Sequence, residues 1–325
     1  MTPRIPLLRI LVVLFAVVVA TTTIERGTVD AAPPAPSTPD LVRASDTGKS
    51  RSDNVTKENT PTFAGTAQPG SIVRLFANGA FAGSDEAVGG NYRITTSLLP
   101  DGGYEMTARA FLGGLGPASE ELVILIDTRA PTRPTRPDLI RQSDTGSNKT
   151  DNLTSDATPT FNGFAESGSS VVIFRNGERT GVVEASRLGR WGFTSPHIGF
   201  GAHRIKARSS DLAGNLSPFS PAVLVRVAPA CLGEPATIFG NHLDNVINGT
   251  PGNDVIHGMG GNDVIRGRGG NDRICGGPGQ DRLFGQHGAD ILDGGPNPPG
   301  RPDRCDGGTG NDRARASCEI KVNIP

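Results

Sequence analysis

Gly258-Met-Gly-Gly-Asn-Asp-Val-Ile-Arg266 runs directly into Gly267-Arg-Gly-Gly-Asn-Asp-Arg-Ile-Cys275 and then into Gly276-Gly-Pro-Gly-Gln-Asp-Arg-Leu-Phe284. Each nine-residue unit keeps Gly first, Asp sixth and an aliphatic residue eighth. The period extends both ways, with further units starting at Gly240, Gly249, Gly285, Gly294 and Gly307. Position six is Asn245 in the first unit, then Asp254, Asp263, Asp272, Asp281, Asp290, Asp303 and Asp312. Position eight is Ile247, Ile256, Ile265, Ile274, Leu283 and Leu292, with Cys305 in the same slot of the seventh unit. A glycine-rich turn lets main-chain carbonyls face a cation without side-chain clashes. The carboxylate at position six projects into that turn, and the aliphatic residue two further on points from a short strand into a thin core. One such turn buries almost nothing, so the units must stack. Hard oxygens from carbonyls and carboxylates are what calcium takes, six to eight at a time, whereas magnesium holds its waters and prefers tighter octahedral sites.

This array resembles the RTX nonapeptide repeat, Gly-Gly-x-Gly-x-Asp-x-aliphatic-x, over residues 240–315. The resemblance implies a parallel β-roll around calcium, held by Asp254, Asp263, Asp272, Asp281, Asp290, Asp303 and Asp312. It also implies carbonyl ligands from turn glycines such as Gly258, Gly260, Gly267, Gly269 and Gly276. Departures are visible. Thr250, Met259, Arg268 and Gln286 replace the second glycine. The first unit is degenerate, and a four-residue insertion interrupts the seventh, so the best stack is expected over residues 249–293. Arg266, Arg268, Arg273 and Arg282 lie among the acids and soften their mutual repulsion.

A composition shift marks where this array begins. From Cys231 onward there are 21 glycines in 95 residues, against 23 in the first 230, placing a boundary near 228–230. Upstream, one module occurs twice. Pro39-Asp-Leu-Val-Arg-Ala-Ser-Asp-Thr-Gly48 recurs as Pro137-Asp-Leu-Ile-Arg-Gln-Ser-Asp-Thr-Gly146, and Thr60-Pro-Thr-Phe-Ala-Gly65 as Thr158-Pro-Thr-Phe-Asn-Gly163, an offset of 98 residues. Tyr104, Met106, Ala108 and Ala110 alternate with Glu105, Thr107 and Arg109, the pattern of a half-buried strand. Asn-Gly and Gly-Gly turns separate such runs. About a hundred residues of short strands is the size of one sandwich per copy.

The shared wording of the two copies resembles the bacterial Ig-like repeats of large surface adhesins. That resemblance implies spacer or adhesive modules, with calcium near module junctions in some members. The matching acids are Asp46 and Asp53 in copy one, and Asp144 and Asp151 in copy two. Copy two adds Asp211-Leu-Ala-Gly-Asn215; copy one has no acid in Phe111-Leu-Gly-Gly-Leu115, so if that Asp is a ligand copy one should bind calcium more weakly. The competing reading of these five acids as second metal positions is that they close Asx turns.

The fold expected is therefore all-β: two Ig-like sandwiches over 39–130 and 137–228, then an RTX-like parallel β-roll over 231–319. Residues 1–32 read as a signal peptide and the start of a Pro-rich spacer. Arg4 and Arg9 precede an apolar run of 11 residues, 10–20, too short to span a bilayer, with small residues at its end. After its removal no stable membrane span is expected, and the product is secreted or held at the cell surface. Cys231, Cys275, Cys305 and Cys318 fit an oxidising compartment and permit three pairings. Cys231–Cys275 with Cys305–Cys318 keeps the second loop local and is the pairing expected.

Charge is balanced, 32 Lys and Arg against 33 Asp and Glu, which gives no reason to expect nucleic acid as a partner. No Gly-x-Ser-x-Gly, His-Glu-x-x-His or P-loop word occurs, and the five His are scattered, so no catalytic residue is assigned and the chain reads as non-enzymatic. The leading function is an exported calcium-binding protein. The alternatives are a surface adhesin or carbohydrate-binding protein with an unidentified glycan or protein partner, and an accessory module of a secreted hydrolase system.

Overall fold

The computed structural model describes residues 31–324. The apolar run 10–20 and the small residues at its end lie outside these residues. Among the described residues there is no helix.

The first module contains β1 (Asp40–Leu41), β2 (Val55–Thr56), β3 (Thr62–Thr66), β4 (Ile72–Ala77), β5 (Ala80–Glu86), β6 (Asn91–Thr95), β7 (Gly102–Leu112), β8 (Gly114–Ala118) and β9 (Leu122–Ile126). Two sheets face each other, β1-β3-β6 and β2-β9-β7-β4-β5, with β8 flanking β7. Period-2 alternation puts Val73, Leu75, Met106, Ala108 and Ile124 inside, where they meet Phe63 and Ile94 of the smaller sheet.

The second module repeats this with β10 (Asp138–Leu139), β11 (Leu153–Thr154), β12 (Thr160–Phe164), β13 (Ser170–Arg175), β14 (Glu178–Glu184), β15 (Arg190–Thr194), β16 (Gly201–Ser210) and β17 (Val223–Val227). Its sheets are β10-β12-β15 and β11-β17-β16-β13-β14. Phe161 takes the place of Phe63, and Trp191 that of Tyr92.

In both copies the Ser-Asp-Thr-Gly loop docks on the adjoining unit further along the chain. Thr47 Oγ1 donates to the Ala213 carbonyl at 3.0 Å, and Lys49 N–H to the Leu212 carbonyl at 2.9 Å. The second loop places Ser147 N–H on Glu234 Oε2 at 2.6 Å, where a two-stranded ribbon, β18 (Ala230–Cys231) and β19 (Glu234–Pro235), leads out of the sandwich.

The C-terminal array coils into two five-stranded parallel sheets. One is formed by β20 (Ile238–Phe239), β22 (Val255–His257), β24 (Arg273–Cys275), β26 (Ile291–Asp293) and β28 (Arg313–Ala314). The other is formed by β21 (Val246–Asn248), β23 (Val264–Gly269), β25 (Arg282–His287), β27 (Arg304–Thr309) and β29 (Ile320–Val322). Successive units alternate between the sheets, so Ile265 lies over Leu283, eighteen residues on, and Ile256 over Ile274. Position eight forms the core: Ile256, Ile265, Ile274, Leu283, Leu292 and Cys305 are all fully buried. At roughly 1.5–3 kcal/mol per buried aliphatic side chain, such a single file is a slender core.

The stack runs beyond the 249–293 range expected from sequence. The insertion falls between positions four and six of the seventh unit and loops out. Register resumes with Arg282 opposite Arg304, and a last strand pairs Arg304 with Ile320. Cys231 is joined to Cys275, tying the entry ribbon to the fourth unit, and Cys305 to Cys318 across the closing turn.

Candidate metal centre

Position six sits where each glycine turn enters its strand. Stacking with a period of two units brings alternate acids together, giving two ladders on opposite edges of the roll. On one edge the main-chain N–H of Asn245 donates to Asp263 Oδ1, that of Asp263 to Asp281, and that of Asp281 to Asp303, each at 2.7 Å. On the other edge Asp254 donates to Asp272 at 2.9 Å, Asp272 to Asp290 at 2.8 Å and Asp290 to Asp312 at 2.9 Å. Each carboxylate thus spends one oxygen on satisfying a buried amide, a charge-assisted bond.

The other oxygen has no partner. Oδ2 of Asp263, Asp272, Asp281, Asp290, Asp303 and Asp312 is buried and accepts no hydrogen bond, although the residues are at most 1% exposed. Buried carboxylate oxygens are rarely left this way, because desolvation without a partner costs several kcal/mol. The first glycine of each unit explains the hollow in front of them. A Cβ on Gly276 would collide with Asp281 Oδ2 and stand 2.6 Å from the Gly294 carbonyl oxygen. On Gly258 it would collide with Asp263 Oδ2 and stand 2.5 Å from the Gly276 carbonyl, and on Gly267 it would meet Asp272 Oδ2 and the Gly285 carbonyl. Carboxylate and carbonyl oxygens therefore converge on a space that only glycine leaves open. Hard oxygens without a proton donor among them fit calcium. Bound there, the ion would supply the positive charge that these carboxylates lack.

The electrostatics point the same way. Burial raises Asp281 to about 7 and Asp272 to about 6, only partly offset by the N–H groups of Asp263 and Asp254, while ladder neighbours push in the same direction as burial. Burial also raises Asp263, Asp290 and Asp303. Among the described residues no three His, Cys, Asp or Glu side chains converge on one point. The donor set instead pairs single carboxylates with main-chain oxygens.

The repeat departures have distinct outcomes. Met259, Arg268 and Gln286 adopt φ of 82°, 78° and 77°, holding the left-handed conformation that Gly277, Gly295 and Gly308 take at the same position. Thr250 does not; its N–H and hydroxyl donate to Asp254 Oδ2 at 2.6 and 3.0 Å. Asp254 is thereby satisfied without a cation, unlike the other six acids. A Cβ on Gly260 would stand 3.3 Å from His242 Nδ1, and one on Gly269 3.5 Å from the Pro251 carbonyl oxygen, in the coil eighteen residues before.

Two features escaped the sequence reading. Glu319 closes the first ladder, its Oε2 accepting the Asp303 N–H at 2.8 Å. An acid directly before the β-prone Ile-Lys-Val was the available signal, hidden because the nine-residue period has lapsed there. Position five forms a further pattern of two ladders running the opposite way: in one Asn262 N–H donates to Asp244 Oδ1 and Gln280 to Asn262, in the other Asn271 to Asn253 and Ala289 to Asn271, at 2.6–3.0 Å. The recurrence of Asn at that position was its signal.

In the sandwiches the acids divide. Asp46 and Asp144 are 1% exposed, each with an unpartnered Oδ1. Burial raises both, and Asp53 and Asp151 beside them raise them further. Asp53 and Asp151 close Asx turns onto the N–H groups of Val55 and Leu153. Asp211 has both oxygens engaged by Asn215, at 2.8 and 3.0 Å, within the turn that docks on Thr47.

Fold and site together define an all-β protein with tandem Ig-like sandwiches and a calcium-binding-repeat roll. The chain belongs to the bacterial Ig-like domain family, which matches residues 32–128 and 131–227. The RTX calcium-binding nonapeptide repeat matches residues 239–274 and 268–296. Among solved structures, the fibronectin(III)-like modules of Clostridium thermocellum CbhA are 18% identical over 54% of this chain and 88% of theirs, at a TM-score of 0.34. The BSP domain of a biofilm-associated protein is 15% identical over 59% of this chain and 30% of its own, at 0.24. A tetra-tandem repeat from the extending region of a large adhesion protein is 18% identical over 52% and 47%, at 0.24. No curated protein matches the chain.

Proposed function

We propose that this is an exported, non-enzymatic calcium-binding protein of the cell surface or matrix, in which calcium completes the roll and the two sandwiches act as spacer or adhesion units. The observation that carries the reading is the set of six buried carboxylate oxygens without a partner, each in front of a glycine turn. The ligands are Asp263, Asp272, Asp281, Asp290, Asp303 and Asp312 with carbonyls of the facing turns; Asp254, held by Thr250, is the weakest of the seven. Asp46 with Asp53, and Asp144 with Asp151, form secondary positions of lower affinity, because half of each pair is committed to a turn. The two disulfides support an oxidising compartment.

The test is calcium titration of the chelator-treated chain lacking residues 1–32, disulfides intact, followed by calorimetry and far-UV circular dichroism. Uptake of several ions with a gain in β signal and melting temperature is the expected result. No uptake at millimolar calcium overturns the reading.

A further inference from the structure

The two sandwiches carry the same hollow on the outer face of the larger sheet, and only one is built to hold an anion. In the first module it is lined by Phe76, Asn78, Glu105, Thr107, Arg109 and Glu121. In the second, a concavity of about 490 Å³ is lined by Phe174, Asn176, Gly177, Arg204, Lys206 and Phe219. Hydrogen bonding fixes the equivalences. Asn78 Oδ1 accepts the Glu105 N–H at 2.8 Å, and Asn176 Oδ1 accepts the Arg204 N–H at 2.8 Å. Phe76 lies opposite Thr107, and Phe174 opposite Lys206. Ser119 Oγ accepts the Ala108 N–H and Ser220 Oγ the Ala207 N–H, both at 2.9 Å, so Phe219 stands where the first module has Ala118. Two residues beyond these serines, Glu121 is matched by Ala222.

From the first module to the second, then, Glu105 becomes Arg204, Thr107 becomes Lys206, Arg109 is kept as Arg208, and Glu121 is lost. The charge across these four positions goes from −1 to +3 on an unchanged backbone frame. Two of the cations are held against one ring. Arg208 Nε donates to the Ser217 carbonyl at 2.7 Å with its guanidinium 5.1 Å from the centre of the Phe219 ring, and Lys206 Nζ is 5.9 Å from it. Phe174 braces that ring edge-on at 5.1 Å. Among the described residues none of these cations enters an ion pair.

We infer that this face of the second sandwich binds an acidic polysaccharide through its carboxylate or sulfate groups. Alternate residues of β16 put the three cations in a row at intervals of roughly 7 Å, which suits a ligand with repeated charges. The hollow opens onto solvent rather than closing into a cavity, so a chain can lie across it. Nucleic acid is the poorer occupant, because Lys206 and Arg208 lie against the Phe219 ring and leave no free platform for stacking bases.

The test uses the full mature chain, calcium-loaded, at physiological salt. Immobilised dextran sulfate, hyaluronan, neutral dextran and single-stranded DNA are compared by biolayer interferometry. Binding to dextran sulfate or hyaluronan above dextran and DNA is expected, the stronger of the two identifying sulfate or carboxylate as the preferred group. The triple change Arg204→Glu, Lys206→Thr, Phe219→Ala installs residues the first module already folds with, and should weaken binding at least tenfold. The reverse change, Glu105→Arg, Thr107→Lys, Ala118→Phe, should strengthen it. Binding no tighter than to dextran, equal binding to DNA, or a triple variant within twofold of the parent overturns the inference. So does loss of binding on Arg282→Ala with Arg304→Ala, which would move the site to the roll.

Discussion

The carboxylate of Asp281 accepts the main-chain N–H of Asp263 at 2.7 Å, across eighteen residues of sequence and one turn of the roll. The bond gives each acid two separable duties, since Oδ1 holds the turn before it while Oδ2 faces the glycine cradle. Asparagine keeps the first duty and loses the charge needed for the second; alanine loses both. Asp263→Asn with Asp281→Asn should therefore lower the number of calcium ions bound, read by equilibrium dialysis, while leaving the calcium-free melting temperature within a few degrees. Asp263→Ala with Asp281→Ala should lower both, by about 1.5–3 kcal/mol per lost charge-assisted bond. Asp85→Ala, on an exposed strand whose carboxylate meets only the Arg93 N–H, should leave calcium uptake unchanged. Equal calcium loss from Asp85→Ala would remove the ladder assignment.

Acid should act oppositely on the two forms of the roll. Asp281 and Asp272 rise to about 7 and about 6 from an unfolded value near 3.8, so between these limits the folded calcium-free chain holds more protons than the unfolded one. Its stability is fully present below about pH 4 from these two groups, and falls as pH rises through 6 to 7. Calcium competes with those protons, so its affinity should rise over the same interval. Melting curves at pH 5 and pH 8, with chelator and with calcium, should cross over; a calcium-free roll more stable at pH 8 contradicts this.

Glu319 is the last rung of one ladder. Glu319→Ala leaves the buried Asp303 N–H without an acceptor and should cost about 1–3 kcal/mol, with Glu319→Gln recovering most of it. Hydrogen exchange at Asp303 and Arg304 reads the effect directly, and unchanged protection there would deny Glu319 its capping role.

Gln286 holds a left-handed backbone at φ 77°, where its stacking partner is Gly308. Gln286→Gly should stabilise the roll by about 1 kcal/mol through removal of side-chain strain. Gly277→Ala should destabilise it by more, since the new Cβ would collide with the Met259 carbonyl oxygen. Thermal melts in calcium decide both.

The sequence carried the roll because its stacking period is written in the spacing of Gly, Asp and aliphatic residues, and carried the sandwiches because several spaced words occur twice. It did not carry what depends on contacts out of register. Thr250 occupying the Asp254 carboxylate arises where the second glycine is replaced, while the insertion looping out and Glu319 resuming the ladder arise where the nine-residue period is broken. Asp211 belonged to a recognisable word, yet only the fold reveals that Asn215 takes both its oxygens. The charge reversal between the two hollows was equally out of reach, because β7 and β16 align only once the Asn78 and Asn176 turns are seen to hold Glu105 and Arg204 alike.

One pairing in the sandwiches bears on how the chain carries load. In each module a strand near the beginning lies parallel to the last one, Val55 and Thr56 against Leu125 and Ile126, Leu153 and Thr154 against Arg226 and Val227. Tension applied along the chain pulls such strands past each other, so their hydrogen bonds must break together rather than peel one at a time. Linked in series with a roll whose entry is fixed by Cys231–Cys275, both sandwiches would meet such tension with the same parallel pair.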